Sequence, residues 1–117
     1  IREVGVPIRC ATWIGDREQD DVLRRAKVEV GDDVWIGYGA VILTGVTIGR
    51  GAVIAAGAIV RTNIDSYAIA AGNPAVQIAV RFEPEIAERH EKAVREAGYQ
   101  FSEWSGITRK LGKDREP

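Results

Sequence analysis

Apolar residues recur every sixth position from Val28 to Asn63. Cut into sixes, this stretch reads VEVGDD, VWIGYG, AVILTG, VTIGRG, AVIAAG, AIVRTN. The third position of each block is Val30, Ile36, Ile42, Ile48, Ile54 and Val60, and the first is Val28, Val34, Ala40, Val46, Ala52 and Ala58. Gly follows the third position at Gly31, Gly37 and Gly49, and Gly closes blocks at Gly39, Gly45, Gly51 and Gly57. An α-helix needs apolar residues near every 3.6 positions, and no such spacing persists here. Simple strand alternation does not demand Gly every sixth residue. A short strand followed by a corner meets both requirements. The third-position Ile or Val points into a narrow core, the first-position Val or Ala fills the space beside it, and Gly takes the corner. No block can bury its apolar face alone, so the blocks must stack, as in solenoid β-helices.

The rest of the chain is read against this repeat. Ile8 and Ile14 are also six apart, and Ile14-Gly15 matches Ile36-Gly37, which predicts an earlier, incomplete coil over Ile1–Gly15. Residues 16–27 (DREQDDVLRRAK) break the period and are strongly charged, which predicts a loop projecting from the coil. After Asn63 the period fades. Gly72-Asn73-Pro74 signals a turn, because Gly frees φ and Pro fixes it. Residues 76–82 read as a last short strand. Pro84 then suits the first turn of a helix, and Gly98 its C-terminal stop. Ile86, Ala87, His90, Ala93, Val94 and Ala97 fall on one face of that helix. Tyr99, Phe101, Trp104, Ile107 and Leu111 give the tail apolar anchors. The expected organisation is a coil domain over 1–82 with a protruding loop at 16–27, followed by a helix and tail over 83–117.

Composition narrows the classes. The chain has 117 residues, which suit one domain, and a formal net charge of −1. That balance gives no global field to draw in nucleic acid or a membrane surface. No apolar run is long enough to span a bilayer. A single Cys cannot form an internal disulfide, which points to a reducing, cytoplasmic compartment. The chain contains no Met and begins at Ile1, inside what already reads as repeat, so the sequence predicts a missing upstream part.

The stretch GDDVWIGYGAVILTGVTIGRGAVIAAGAIV resembles the hexapeptide-repeat acyltransferases. YAIAAGNPA (residues 67–75) and VRF (residues 80–82) are similar to the exit segment of their xenobiotic, or streptogramin and chloramphenicol, acetyltransferase branch. The resemblance implies a mainly β fold: a left-handed parallel β-helix of hexapeptide repeats, here with a C-terminal α-helix. It implies transfer of an acetyl group from acetyl-CoA to a hydroxyl or amine of a small molecule or sugar, in a groove between subunits of a homotrimer. Such transfer needs a base, donors for the developing oxyanion and a cleft for the pantetheine arm. The resemblance places cofactor contacts at Tyr38, Ala56 and Gly57. Its relatives carry Thr-Lys-Asp where this chain has Arg61-Thr62-Asn63, and a basic residue after GNPA where this chain has Val76 and Gln77, so Arg61, Thr62 and Arg81 are the expected phosphate-side contacts in their place.

The catalytic base is where the chain departs from that pattern. The family presents a His from the N-terminal side of the protruding loop, and this chain holds Cys10 and acidic residues there. Its one His, His90, lies on the C-terminal helix and reads as a helix-face residue. The base therefore belongs upstream of Ile1, or has been lost with Cys10, Asp16 or Glu18 as poor substitutes. A lone Cys is more often a small buried hydrophobe. One His also excludes the γ-type carbonic anhydrases, which need three His ligands for zinc, and no metal site is expected. A catalytically inactive β-helix fragment, acting as a trimerisation or binding module, is the alternative. The acceptor is not readable. Asp16, Glu18, Asp20 and Asp21 would suit a cationic one.

Overall fold

The structure, a computed structural model, describes Val4, Gly5, Pro7 and residues 26–102. The expected earlier coil, the charged loop through residue 25, Cys10 and the tail from residue 103 lie outside the described residues.

Each hexad forms a two-residue strand and a corner. β1 (Glu29–Val30), β2 (Trp35–Ile36) and β3 (Val41–Ile42) make the three sides of one turn of chain. β4 (Thr47–Ile48), β5 (Val53–Ile54) and β6 (Ile59–Val60) make the next. Every pairing between them is parallel and in register: Glu29 faces Thr47, Trp35 faces Val53 and Val41 faces Ile59, each eighteen residues on. Three hexads therefore close one coil of a parallel β-helix. Backbone bonds bind coil to coil along all three sides, from Gly31 N–H to Ile48 C=O (2.8 Å), Gly37 N–H to Ile54 C=O (2.8 Å) and Leu43 N–H to Val60 C=O (2.9 Å).

Strands this short are stable only because their inward residues share one core. Ile48, Ile54 and Val60 are fully buried, and the first-position Val46, Ala52 and Ala58 beside them are buried too. The coil below is more open: Val30 and Ile36 keep 44% and 42% of their surface exposed at the end of the described stack. The predicted inward set is thus right in direction, and complete only where a coil is described on both sides.

The glycines serve two ends. Gly39, closing its block, has φ of +71°, which an L-residue adopts only under strain, and its absent side chain would point into open space. Gly37 has no such φ. A Cβ there would lie 2.5 Å from the amide nitrogen of Ala56 in the coil above, so glycine is required by the close approach of two backbones.

The repeat then runs out in a definite way. β7 (Ala68–Ala71) continues the second side, but Ile69 faces Val53 only sixteen residues on. The chain turns at Gly72–Pro74, whose Asn73–Pro74 bond is cis. This turn still stacks on β6, with Ala75 N–H bonded to Ile59 C=O (2.8 Å). β8 (Val76–Val80) then returns antiparallel to β7, through a bulge at Ile69/Ala70, and ends the four-stranded order β2-β5-β7-β8. The strand expected near residues 76–82 exists, but as a hairpin partner rather than a further coil.

α1 (Pro84–Glu96) begins with Pro in its first turn, as expected. It ends in a Schellman motif, in which Gly98 (φ +96°) and Tyr99 return their N–H groups to Arg95 and Val94 C=O. The expected apolar face is only partly buried. Ala87 is buried and His90 and Val94 are half-buried, whereas Ile86, Ala93 and Ala97 are exposed. The helix docks through a narrower stripe than its sequence suggested, because polar side chains carry most of the contact.

The two glycine roles predict different costs. Gly39→Ala should cost about 1–2 kcal/mol of backbone strain. Gly37→Ala should cost clearly more, since the coils must part to admit the methyl group. Urea unfolding midpoints of the two variants test this order, and equal midpoints would show that the close approach is not limiting.

Candidate functional site

Three corners run up the coil. The first holds residues 31–34, 49–52 and 65–67, the second 37–40, 55–58 and 71–74, and the third 43–46 and 61–63. The eighteen-residue register decides which expected site residues meet. Tyr38 and Ala56 occupy the same place in successive coils of the second corner. Gly57 N–H bonds to Tyr38 C=O at 2.8 Å, so the two turns are held directly one above the other. Tyr38 is 95% exposed, Ala56 and Gly57 are exposed, and a Cβ built on Gly57 meets nothing within 4 Å. This corner is therefore an open shelf of backbone and small side chains with one aromatic ring at its lower edge.

Arg61 and Thr62 start the third corner, at the other end of β6. Three residues, Ala58, Ile59 and Val60, separate Gly57 from Arg61, a span of at most about 13 Å. Both are exposed, and the Arg61 guanidinium has no hydrogen bond or ion pair among the described residues. The shelf and this cation thus flank one side of the coil, formed by β3 and β6. Nearby, Asn63 Oδ1 accepts the Thr47 N–H at 2.8 Å and closes the third corner.

Arg81 is not part of this group. It lies at the first corner, where its guanidinium donates to Gly51 C=O (2.8 Å) and stands 3.6 Å from Asp33 Oδ2. The guanidinium also sits over the rings of Phe82 and Tyr67. Of the six expected cofactor positions, the structure gathers Tyr38, Ala56 and Gly57 on one corner and Arg61 and Thr62 at the next. It commits Arg81 to joining β8 and the coil.

The first corner carries the densest polar chemistry among the described residues, and sequence reasoning did not single it out. Tyr67 holds a φ of +59° and is buried, its ring covering Gly51. Its hydroxyl donates to Glu91 of α1 at 2.9 Å. Burial first, and then the hydrogen bond and charge of Glu91, push the Tyr67 hydroxyl well above the ordinary tyrosine range, so it stays protonated. Arg50 bonds the same carboxylate at 3.3 Å and stands 3.9 Å from Asp32. His90 packs against Phe82 (4.9 Å between centroids) and edge-on to Tyr67. Its Nε2 is buried without a hydrogen bond among the described residues, 3.7 Å from Asp33 Oδ2. The chain's one imidazole therefore faces the helix dock, as its place on the helix suggested, and not the open shelf. The signal that could have found this corner is the register itself. Asp32 and Arg50 are eighteen apart, so opposite charges stack in neighbouring coils.

Among the described residues, no group of three or more His, Cys, Asp or Glu could hold a metal ion. No helix there is long and apolar enough to cross a membrane.

Known proteins share the repeat. The bacterial transferase hexapeptide (six repeats) family matches residues 27–62. A chloramphenicol acetyltransferase of Agrobacterium fabrum is 48% identical over 54 residues, 46% of this chain and 26% of that protein. A probable acetyltransferase of Mycobacterium tuberculosis is 35% identical over 106 residues, 78% of this chain and 35% of that protein. The chain thus spans only about a third or less of the length of these relatives. Among solved structures, AntD, an N-acyltransferase from Bacillus cereus in complex with dTDP and coenzyme A, superposes with a TM-score of 0.51 at 28% identity. That match covers 61% of this chain and 38% of AntD.

Tyr67 yields a prediction with a defined sign. Its folded-state pKa is raised, so its contribution is complete below the unfolded value of about 10 and is lost as pH rises beyond it. Tyr67→Phe should cost about 1–2 kcal/mol near neutral pH and should remove that alkaline loss. Thermal melts of both proteins from pH 7 to 11 check it. An unchanged alkaline slope in the variant would contradict the assignment.

The coil of three hexads, the repeat that builds it and the acetyltransferases that share it relate this chain to the hexapeptide-repeat acyltransferases.

Proposed function

We propose that this chain forms the coil of an acyltransferase that moves an acetyl group from acetyl-CoA to a hydroxyl or amine of a small molecule. The observation that carries this reading is the open second corner, with Tyr38 below and Ala56 and Gly57 above, on the side of the coil that ends at Arg61, whose guanidinium has no partner among the described residues. Small residues let a ligand reach the backbone, and a thin amide-bearing arm such as pantetheine needs just that approach. Arg61, with Thr62 beside it, offers charge and a hydroxyl to phosphate at the far end of the same side. Arg81 contributes to this reading only by fixing β8 on the coil. The likeness to AntD, whose structure holds coenzyme A, supports the choice of cofactor.

The reaction would be direct. The acceptor oxygen or nitrogen attacks the thioester carbonyl, the new C–O or C–N bond forms, the C–S bond breaks, and CoA leaves as the thiol. The acceptor's proton must pass to a base, and no described residue is assigned that role. We further propose that the coil is left-handed, that coil and helix divide near residue 82, and that the chain works as a homotrimer. Exposed Trp35 (71%) and Ile78 (63%) give such an assembly apolar surface to cover.

One observation favours a second reading. His90 is engaged between Phe82 and Tyr67, away from the shelf, as expected of a trimerisation or binding module without catalysis. Titration calorimetry with acetyl-CoA, with mass measured on the same sample, separates the two. The acyltransferase reading predicts binding by a trimer, at least about ten-fold weakened in Ala56→Trp, whose exposed position leaves stability nearly unchanged. A trimer that binds no acetyl-CoA would favour the module.

A further inference from the structure

The α1 helix is attached to the coil in an unusual way for a terminal helix. Most docked helices are held by an apolar face. Here Ala87 is the helix's single buried residue. The attachment is instead a clasp of charge and aromatic contacts centred on Arg50 and Glu91. Glu91 accepts from Tyr67 Oη (2.9 Å) and from Arg50 (3.3 Å), and Arg95 of the same helix stands 3.5 Å away. Arg50 and Arg95 both lie over the ring of Phe101. Ser102 donates through its N–H and hydroxyl to Asp32 Oδ2, each at 2.7 Å. Glu91, Phe101 and Ser102 thus converge on one corner of the coil.

The same corner also works against itself. His90 Nε2 is buried with no hydrogen-bond partner among the described residues. Asp33, at 3.7 Å, is too far to bond it and is shared with Arg81. Burying such a group costs free energy that is recovered when water reaches it. A helix with little apolar burial, held by one polar clasp and opposed by one unsatisfied group, has the composition of a low-stability cooperative unit. The coil is the reverse, with stacked strands and a fully buried core.

We propose that α1 and the segment through Ser102 form a releasable strap, which lifts from the first corner as one unit while the coil stays folded. Release rehydrates His90 and uncovers the rings of Tyr67 and Phe82. Glu91 is the latch, because both the coil's Arg50 and its Tyr67 close on it.

Amide hydrogen exchange on the intact chain tests this. In the wild type, amides of residues 87–97 should exchange faster than those of β5 and β6. Glu91→Ala removes the latch and with it the Glu91–Arg95 pair along the helix, a loss that the higher helix propensity of Ala offsets. It should speed exchange of the helix amides about ten-fold or more, as expected for loss of hydrogen bonds to a charged group, and leave β5 and β6 unchanged. A variant carrying Lys92→Ala and Glu96→Ala, which removes an exposed pair on the same helix, should leave exchange as in the wild type. Three results would overturn the proposal: helix and strand amides rising together in Glu91→Ala, no change in that variant, or an equal rise in the control. If Glu91→Ala does not fold, equal helix and strand exchange in the wild type would overturn it.

Discussion

Everything described here depends on how closely one coil can lie on the next. Two backbones approach at Gly37 beneath Ala56 until no Cβ fits between them, and the parallel hydrogen bonds on all three sides need that distance. Between the two coils the register is then eighteen residues, since a slip of one would turn Ile48, Ile54 and Val60 out of the core. The register in turn decides which side chains share a corner. Tyr38 meets Gly57, and Asp32 meets Arg50, because three hexads close one coil. The proposed cofactor surface and the anchoring surface are both consequences of the stacking distance.

The sequence carried the coil plainly. A six-residue period is local, and the inward positions of every block could be named from it. The helix, with Pro84 to start it and Gly98 to stop it, was equally legible. Three features were not, and each has a physical reason. The return of β8 antiparallel to β7 depends on a turn and a bulge that lie outside the repeat. The exposure of Ile86, Ala93 and Ala97 shows that amphipathic spacing marks what a helix can bury rather than what it does bury. The clasp joins Glu91 to two residues more than twenty positions away, and those two, Tyr67 and Arg50, meet only through the stacking of the coils. Of the expected cofactor positions, those within the repeat fell into neighbouring places. Arg81, outside it, was drawn to Gly51 and Asp33.

The corners divide the work. The first is crowded with charge, rings and the helix; the second is bare backbone and small side chains; the third presents Arg61 beyond a short side of the coil. That division lets the chain hold a helix with one edge and leave another open for the proposed ligand, and neither competes for the same groups. His90 belongs to the first arrangement, so the base of the proposed acyl transfer must be sought apart from it.

Amide chemical shifts of the chain titrated with coenzyme A would test this division most directly. Changes concentrated at residues 37–39, 55–57 and 61–62, with the first corner and α1 unmoved, are the result this account predicts. Changes centred on residues 31–34, 49–52 and 65–67, or none at saturating coenzyme A, would contradict it.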